Sequence, residues 1–318
     1  AHSEHYGRLL GKQSATFMSI DDHAMINNFD GALRGQDVHM GLALDILSNP
    51  YDVAHIDTDY VNGGASPVTA DELFTLAGDV QHSFWGDGTE GAADAANRDY
   101  YRTFTHGDVL VVLMDTRTRS TASKLIPDAQ YNSLVAVINA SDARYVLICS
   151  QSVFGDAIAN DGFYENWGSN AAYRSQRDSF IAAIEAGSPD KIMLLIGGDR
   201  HAPYIAEADA FTGATAGGPV KLDICASPSM SYRWHDTVDL TAMIADPGTL
   251  AAIDITDYPA NSMLRTSGLV VEINEATGLI GLRMYGYDGS LILNVSRTYA
   301  PNTDDPRNAR LRGGERNR

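Results

Sequence analysis

The sequence predicts an α/β fold, from two observations. Short apolar runs of strand length alternate with amphipathic segments of helical period, as in Asp108–Met114, Pro127–Ala140, Arg144–Cys149, Tyr173–Gly187 and Ile192–Ile196. Polar clusters also stand directly behind several of the apolar runs. In open α/β sheets ligands sit outside the carboxyl ends of the strands, so such clusters are where chemistry is expected.

Taken in order, His5–Lys12 reads as the end of a helix and Phe17–Ile20 as a short strand, followed by Asp21-Asp22-His23 and Asn27-Asn28. Residues 31–100 are irregular and rich in Gly, Ala and Asp; within them Asp71–Ala77 opens a helix and Gly86–Ala95 reads as a loop. Asp108–Met114 is a buried strand, with Asp115-Thr116-Arg117-Thr118-Arg119 behind it. Pro127–Ala140 is helical, with Leu134, Val137 and Ile138 on one face. Arg144–Cys149 is a second buried strand that ends in Ser150-Gln151-Ser152. Tyr173–Gly187 is an amphipathic helix closed by Gly187. Ile192–Ile196 is the next strand, and Gly197-Gly198-Asp199-Arg200-His201 follows. Val220–Ala226, Gly268–Ile273, Leu279–Tyr285 and Leu291–Val295 form a closing meander, with turns at Asn274–Gly278 and Tyr287–Gly289. The stretch after Ala300 is polar and Arg-rich and is expected to be loose.

Composition bounds the function. The formal charge of −18 argues against general electrostatic binding to nucleic acid or an anionic membrane, since both need a basic surface. An anionic substrate would need local positive charge from metal ions or a few arginines. No run of 18 apolar residues indicates a membrane span. Cys149 and Cys225 lie in apolar surroundings and read as core thiols rather than a disulfide. No phosphate-cradling Gly-x-x-x-x-Gly-Lys loop, Gly-x-Ser-x-Gly elbow, Cys-x-x-Cys pair or dinucleotide glycine motif is present. Nucleotide motors, serine esterases, structural zinc sites and dinucleotide enzymes lose support accordingly.

The two richest clusters, Asp21-Asp22-His23 with Asn27-Asn28 and Gly197-Gly198-Asp199-Arg200-His201, lie about 180 residues apart, so only folding brings them together. Carboxylate, amide and imidazole donors at strand ends suit a hard-cation or mixed dinuclear metal site. Asp199 and His201, one residue apart, project in similar directions from an extended chain, which eases joint ligation. Each cluster also has a plainer reading, as a turn, helix cap or exposed loop. Arg117 suits a phosphoryl group through its planar guanidinium, and equally a surface carboxylate. Arg119 reads as a surface charge. His82, His106 and His235 are isolated and read as structural or exposed; Trp85, Trp167 and Trp234 read as packing residues.

Asp-Asp-His-(x)3-Asn-Asn is followed by Tyr-Arg-Thr-Phe-(x)2-Gly-Asp, Leu-Met-Asp-Thr-Arg, Ser-Gln at a strand end, Asn-Trp with a later Arg, and Gly-Gly-Asp-Arg-His. This order resembles the PhoD-like alkaline phosphatases of the calcineurin-like metallophosphatase superfamily, from about residue 5 to 295. The resemblance implies a four-layer αββα sandwich with a dinuclear site between two sheets. It implies a metallophosphatase-like domain over 1–300 and a polar tail over 301–318. It also implies hydrolysis of phosphate monoesters or diesters outside the cytoplasm (secreted, periplasmic or at the cell surface), with calcium and iron or another divalent pair as cofactors. Asp22, Asn28, Asp199 and His201 then hold or orient the metals. His23 protonates the leaving oxygen or stabilises transition-state charge, Asp21 orients it, and Arg117 neutralises phosphate charge.

Two departures stand out. Ala24 occupies a position that is acidic in the family. Only 20 residues precede Asp21, and they contain no aspartate. The family's first strand and its metal-binding aspartates are therefore expected to be absent, either because the sequence is a truncated or processed piece or because a separate N-terminal fragment is the partner that completes the site. The alternative function is a non-catalytic scaffold or assembly protein on the same fold. A phosphodiesterase or nuclease would use the same metals, but the acidic charge disfavours a long nucleic-acid track.

Overall fold

In the computed structural model the described residues are 100–117, 119–121, 123–155, 167, 171–198, 204–207, 219–225, 255–257, 267–286 and 291–299. The expected elements His5–Lys12, Phe17–Ile20, Asp71–Ala77 and Gly86–Ala95, the turn at Tyr287–Gly289 and the tail 301–318 lie outside them. The chain divides into two compact units. One comprises Ala1–Tyr101 and Arg117–Thr121, the other Arg102–Thr116 and Ala122–Arg318. In the first unit Tyr100, Arg117 and Ser120 are buried, and the Ser120 hydroxyl donates to the Arg117 carbonyl at 3.2 Å.

The second unit is mixed α/β. Its strands are β1 (Arg102–His106), β2 (Val109–Leu113), β3 (Tyr145–Ser150), β4 (Ile192–Gly197), β5 (Tyr204–Glu207), β6 (Val220–Cys225), β7 (Ile255–Asp257), β8 (Ser267–Asn274), β9 (Leu279–Gly286) and β10 (Leu291–Thr298). Two helices, α1 (Asp128–Ala140) and α2 (Ala171–Gly187), complete it among the described residues. Seven strands form one sheet in the order β1-β2-β3-β4-β6-β5-β7, and three form a second in the order β10-β9-β8. The centre of the larger sheet is parallel, with β2 on β3, β3 on β4 and β4 on β6; β1 and β5 run antiparallel to β2 and β6. Parallel neighbours need crossovers, and α1 and α2 supply those from β2 to β3 and from β3 to β4.

Side-chain alternation assigns the faces. Tyr145, Ile192, Leu194, Leu222 and Ile224 of the larger sheet pack with Ile280, Leu282, Met284 and Val295 of the smaller one, a sheet-on-sheet core. On the other face Leu110, Val112, Val146, Ile148, Met193 and Leu195 are equally buried. The crossover helices occupy that side. The charge of Glu185 in α2 reaches Lys221, the β6 residue between inward-facing Val220 and Leu222; burial lowers the Lys221 pKa and Glu185 partly offsets this. The helices touch each other through Tyr131 and Phe180, whose rings meet edge to face at 5.6 Å.

Strands β2, β3, β4, β6 and the last three fall where apolar periodicity predicts them, as do both helices. But β6 is not part of the closing meander: it pairs parallel with β4 and antiparallel with β5 inside the larger sheet, where Leu222 and Ile224 are fully buried, and only β8, β9 and β10 form the meander. Gly187 does end α2, but not as a left-handed cap: among the described residues the positive-φ glycines are Gly107 and Gly278. A Cβ at Gly187 would run into the Asn139 amide, which donates to the Ala183 carbonyl at 3.2 Å. Strands β1, β5 and β7 are additions to the sequence reading.

The amino edge of the larger sheet is tied by polar bonds. The Asp108 carbonyl accepts from Tyr145 N–H at 3.1 Å, its carboxylate from Arg144 N–H at 2.8 Å, and its own N–H donates to the Glu275 carboxylate at 3.0 Å. Glu275 sits in the β8–β9 turn, so this bond joins the two sheets. Lys191 Nζ donates to the carbonyls of Ser141 and Ala143 at 2.6 and 2.8 Å.

Cys149, in β3, keeps a small exposed fringe, yet apolar enclosure pushes its thiol up to about 12. The sequence reading of a core thiol holds for it; the Cys225 side chain lies outside the described set. The thiolate is the reactive species, so a maleimide or disulfide reagent at pH 8 should modify native Cys149 on the order of 10³ times more slowly than in the urea-unfolded chain. Comparable rates in the two states, read by mass spectrometry of the Cys149 peptide, would refute an inert buried thiol.

Candidate functional site

The carboxyl ends of β2, β3 and β4 are aligned. Leu113 pairs with Cys149, Cys149 with Ile196, and Ser150 with Gly197. Three polar stretches of the sequence therefore leave one sheet edge side by side: Asp115-Thr116, Ser150-Gln151-Ser152, and Gly198 with Asp199 next in the chain. This is the edge where α/β sheets bind ligands.

Each exit is fixed by bonds beyond the last rung of the ladder. Met114 N–H donates to the Cys149 carbonyl at 2.8 Å. Gln130, a buried residue of α1, brackets Asp115: its Nε2 donates to the Asp115 carbonyl at 2.8 Å, and its Oε1 accepts from Asp115 N–H at 3.3 Å. Gln151 Oε1 accepts from Thr116 N–H at 3.0 Å and from the Thr116 hydroxyl at 2.9 Å. Ser150 Oγ accepts from Ser152 N–H at 3.0 Å, a local turn that bends the chain off the strand. The Ser150 carbonyl accepts from Gly198 N–H at 3.1 Å. Buried N–H groups left without acceptors would cost about 1–3 kcal/mol each, so this edge needs side-chain oxygens where sheet pairing stops.

Packing behind the edge is tight. Trp167 is fully buried, stacked on Phe154 with ring centroids 5.6 Å apart; its backbone N–H donates to the Val153 carbonyl at 3.2 Å and its indole N–H to Ser150 Oγ at 3.4 Å. Arg177, on α2 and wholly buried, donates to the Phe154 carbonyl at 2.6 Å and pairs with Asp178 at 2.9 Å. That guanidinium pins the loop after β3 to the helix.

Of the predicted site residues, Asp22, His23, Asn28, Asp199 and His201 lie outside the described residues, as does Asp21. Arg117 is described. At 1 % exposure it is buried. Arg119 is half-buried and His106 exposed; His82, His235, Trp85 and Trp234 lie outside the described set. Among the described residues no group of three or more His, Cys, Asp or Glu comes together to hold a metal. Sequence reasoning missed Gln130, Gln151 and Thr116 as organisers of this edge. The available signal was an amide residue just behind a buried strand, in register with a threonine behind its neighbour.

Among solved structures, the chain is similar to one described as the structure of PhoD, with a TM-score of 0.54 and 14 % identity. The match covers 89 % of this chain and 55 % of that one, so the chain spans about half the length of that structure. No protein-family model and no curated protein matches. At this identity the likeness shows the fold alone: a PhoD-like mixed α/β arrangement with a parallel-rich sheet.

The glycines at the exit of β4 are steric requirements. A Cβ on Gly197 would lie 2.6 Å from Val153 Cα, and one on Gly198 would lie 2.9 Å from the Gln151 carbonyl oxygen. Both clashes are with backbone, which cannot swing aside. Gly197→Ala should therefore destabilise the protein by about 1–3 kcal/mol or more, the range for overpacking. Gly268→Ala in β8, where a Cβ meets nothing within 4 Å, should be neutral or stabilising by up to about 1 kcal/mol. Urea unfolding midpoints of the two variants provide the comparison, and equal midpoints would contradict the packing described.

Proposed function

We propose that the chain is a metal-dependent phosphoester hydrolase of the PhoD-like alkaline phosphatase type. The observation that carries this is that β2 and β4 flank β3 in one parallel sheet and end side by side at Asp115-Thr116 and Gly197-Gly198, in a fold like that of a PhoD structure; in the sequence these exits lead into Arg117 and into Asp199-Arg200-His201. The order of Asp-Asp-His, Ser-Gln and Asp-x-His along the chain supports the same reading.

The donor set fits the cofactor class. Asp22, Asn28, Asp199 and His201 offer carboxylate, amide and imidazole groups, a mixture suited to calcium with iron or to another divalent pair. When bound, such a pair supplies Lewis-acid charge at the phosphoryl oxygen and acidifies water. His23 delivers a proton to the leaving oxygen, with Asp21 orienting its ring. The Arg117 guanidinium offsets phosphoryl charge. In a protein of net charge −18, an anionic ester needs such local positive groups to bind at all. The acidic composition is compatible with a secreted, periplasmic or cell-surface setting.

Chelation should abolish hydrolysis of a chromogenic phosphate ester, and a divalent ion with iron should restore it. Turnover that survives exhaustive chelation would eliminate the two-metal mechanism. A second expectation separates ligand from acid. His23→Ala should lower kcat by about 10²–10⁴, the range for a lost general acid, with bound metal nearly unchanged. Asp199→Ala should lose metal and activity together, read by elemental analysis beside the assay. A protein with neither bound metal nor turnover would instead be a scaffold on this fold.

A further inference from the structure

We infer that Gln151 is a positioning residue of the proposed active site, holding the exits of β2 and β4 in register through one side chain and one peptide group. The inference rests on the hydrolase reading above, but its evidence is separate, drawn from described residues on the second unit alone.

The amide orientation is fixed by chemistry. A backbone N–H can only donate, so the Gln151 atom 3.0 Å from Thr116 N is the oxygen. The same oxygen accepts the Thr116 hydroxyl proton at 2.9 Å, which places both donors of Thr116 on one acceptor. Having given its proton to Gln151, the Thr116 hydroxyl is the acceptor in its 3.2 Å contact with Ser152, whose hydroxyl donates. Thr116 and Ser152 are fully buried and Gln151 nearly so. The cluster is therefore shielded from water, and its geometry has little slack.

The main chain of the same residue meets β4. Gly198 donates its N–H to the Ser150 carbonyl at 3.1 Å. A Cβ added at Gly198 would lie 2.9 Å from the Gln151 carbonyl oxygen, so the two backbones could not keep this approach with a larger residue there. The next residue after Thr116 is Arg117, and the next after Gly198 is Asp199. The Ser150–Gln151 peptide and the Gln151 side chain thus set the starting points of both segments to which phosphate and metal binding are assigned. Apolar packing does not call for this arrangement. A hydrocarbon side chain could fill the same volume but could not hold Thr116.

Displacing reacting groups by about 1 Å costs on the order of 10²-fold in rate. Gln151→Met keeps length and removes the acceptor. It should lower kcat by about 10- to 100-fold with KM for a chromogenic phosphate ester within about threefold of wild type, since positioning of reacting groups is lost rather than uniform binding. Gln151→Glu keeps an oxygen for both donors and should restore most of the rate. Amide exchange at Thr116 should accelerate in the Met variant and not in the Glu variant. If the Met variant does not fold, Thr116→Val, which removes one of the two donors, should still give a several-fold loss of kcat at constant KM. An unaltered kcat in Gln151→Met, beside an active wild type, would overturn the inference and leave the hydrolase reading standing. A loss that Glu fails to rescue and that tracks the folded fraction would reduce Gln151 to a structural role and overturn it equally. No turnover in the wild-type chain would bring down the hydrolase reading, and this inference with it.

Discussion

Buried backbone donors that outlast their strands govern the carboxyl edge of the larger sheet. Ladder pairing among β2, β3 and β4 stops at Leu113, Ser150 and Gly197, but behind β2 and β3 the chain stays buried for several residues. A buried N–H without a partner is rarely tolerated. Gln130, Gln151 and Ser150 supply the missing acceptors for Asp115, Thr116, Ser152 and Gly198. Much else follows from that demand. The glutamines must be buried, the loop after β3 must run close under β4, and β4 must end in residues without a Cβ.

The sandwich behind this edge makes such precision possible. Each central strand is covered on both faces, by the smaller sheet on one and by the crossover helices on the other, so its position is set by packing from two sides. The loop after β3 is clamped by Trp167 against Phe154 and by Arg177 on the Phe154 carbonyl. A polar edge that must keep its atoms in place stands on elements that have little freedom to shift. Burial of Cys149 and Arg177 shows the same economy: reactive or charged groups near the edge are either silenced or enlisted in holding backbone.

The parts of the fold legible in the sequence are those where burial writes a continuous apolar run. Val109–Leu113, Tyr145–Ser150 and Ile192–Gly197 are of this kind. Strand β1, Arg-Thr-Phe-Thr-His, lies at the sheet edge and carries no such run. Its hairpin to β2 has a two-residue Gly107-Asp108 turn with Gly107 at φ +58°, a signal that turn chemistry alone could have caught. Strands β5 and β7 are four and three residues long, too short for a period to declare itself. The site was legible as residue types placed behind strands, because apolar runs mark where strands stop. The hydrogen bonds that hold it were not: nothing in the order of residues says that Gln151 faces Thr116 rather than solvent. Asp22, Asn28, Asp199 and His201, legible as candidates by residue type, fall outside the described residues.

The opposite edge of the sheet has a different character. Asp108 alone engages Tyr145, Arg144 and Glu275, and the last of these reaches across to the smaller sheet. That edge carries no candidate catalytic group and joins the two layers where they begin. An anchor at one pole and working loops at the other is an arrangement that tolerates change unevenly. Segments grafted or diversified beyond Thr116, Ser152 and Gly198 would alter what the molecule meets without loosening the seam at Asp108. A library aimed at new selectivity belongs at the first pole, and the second is the place to leave untouched.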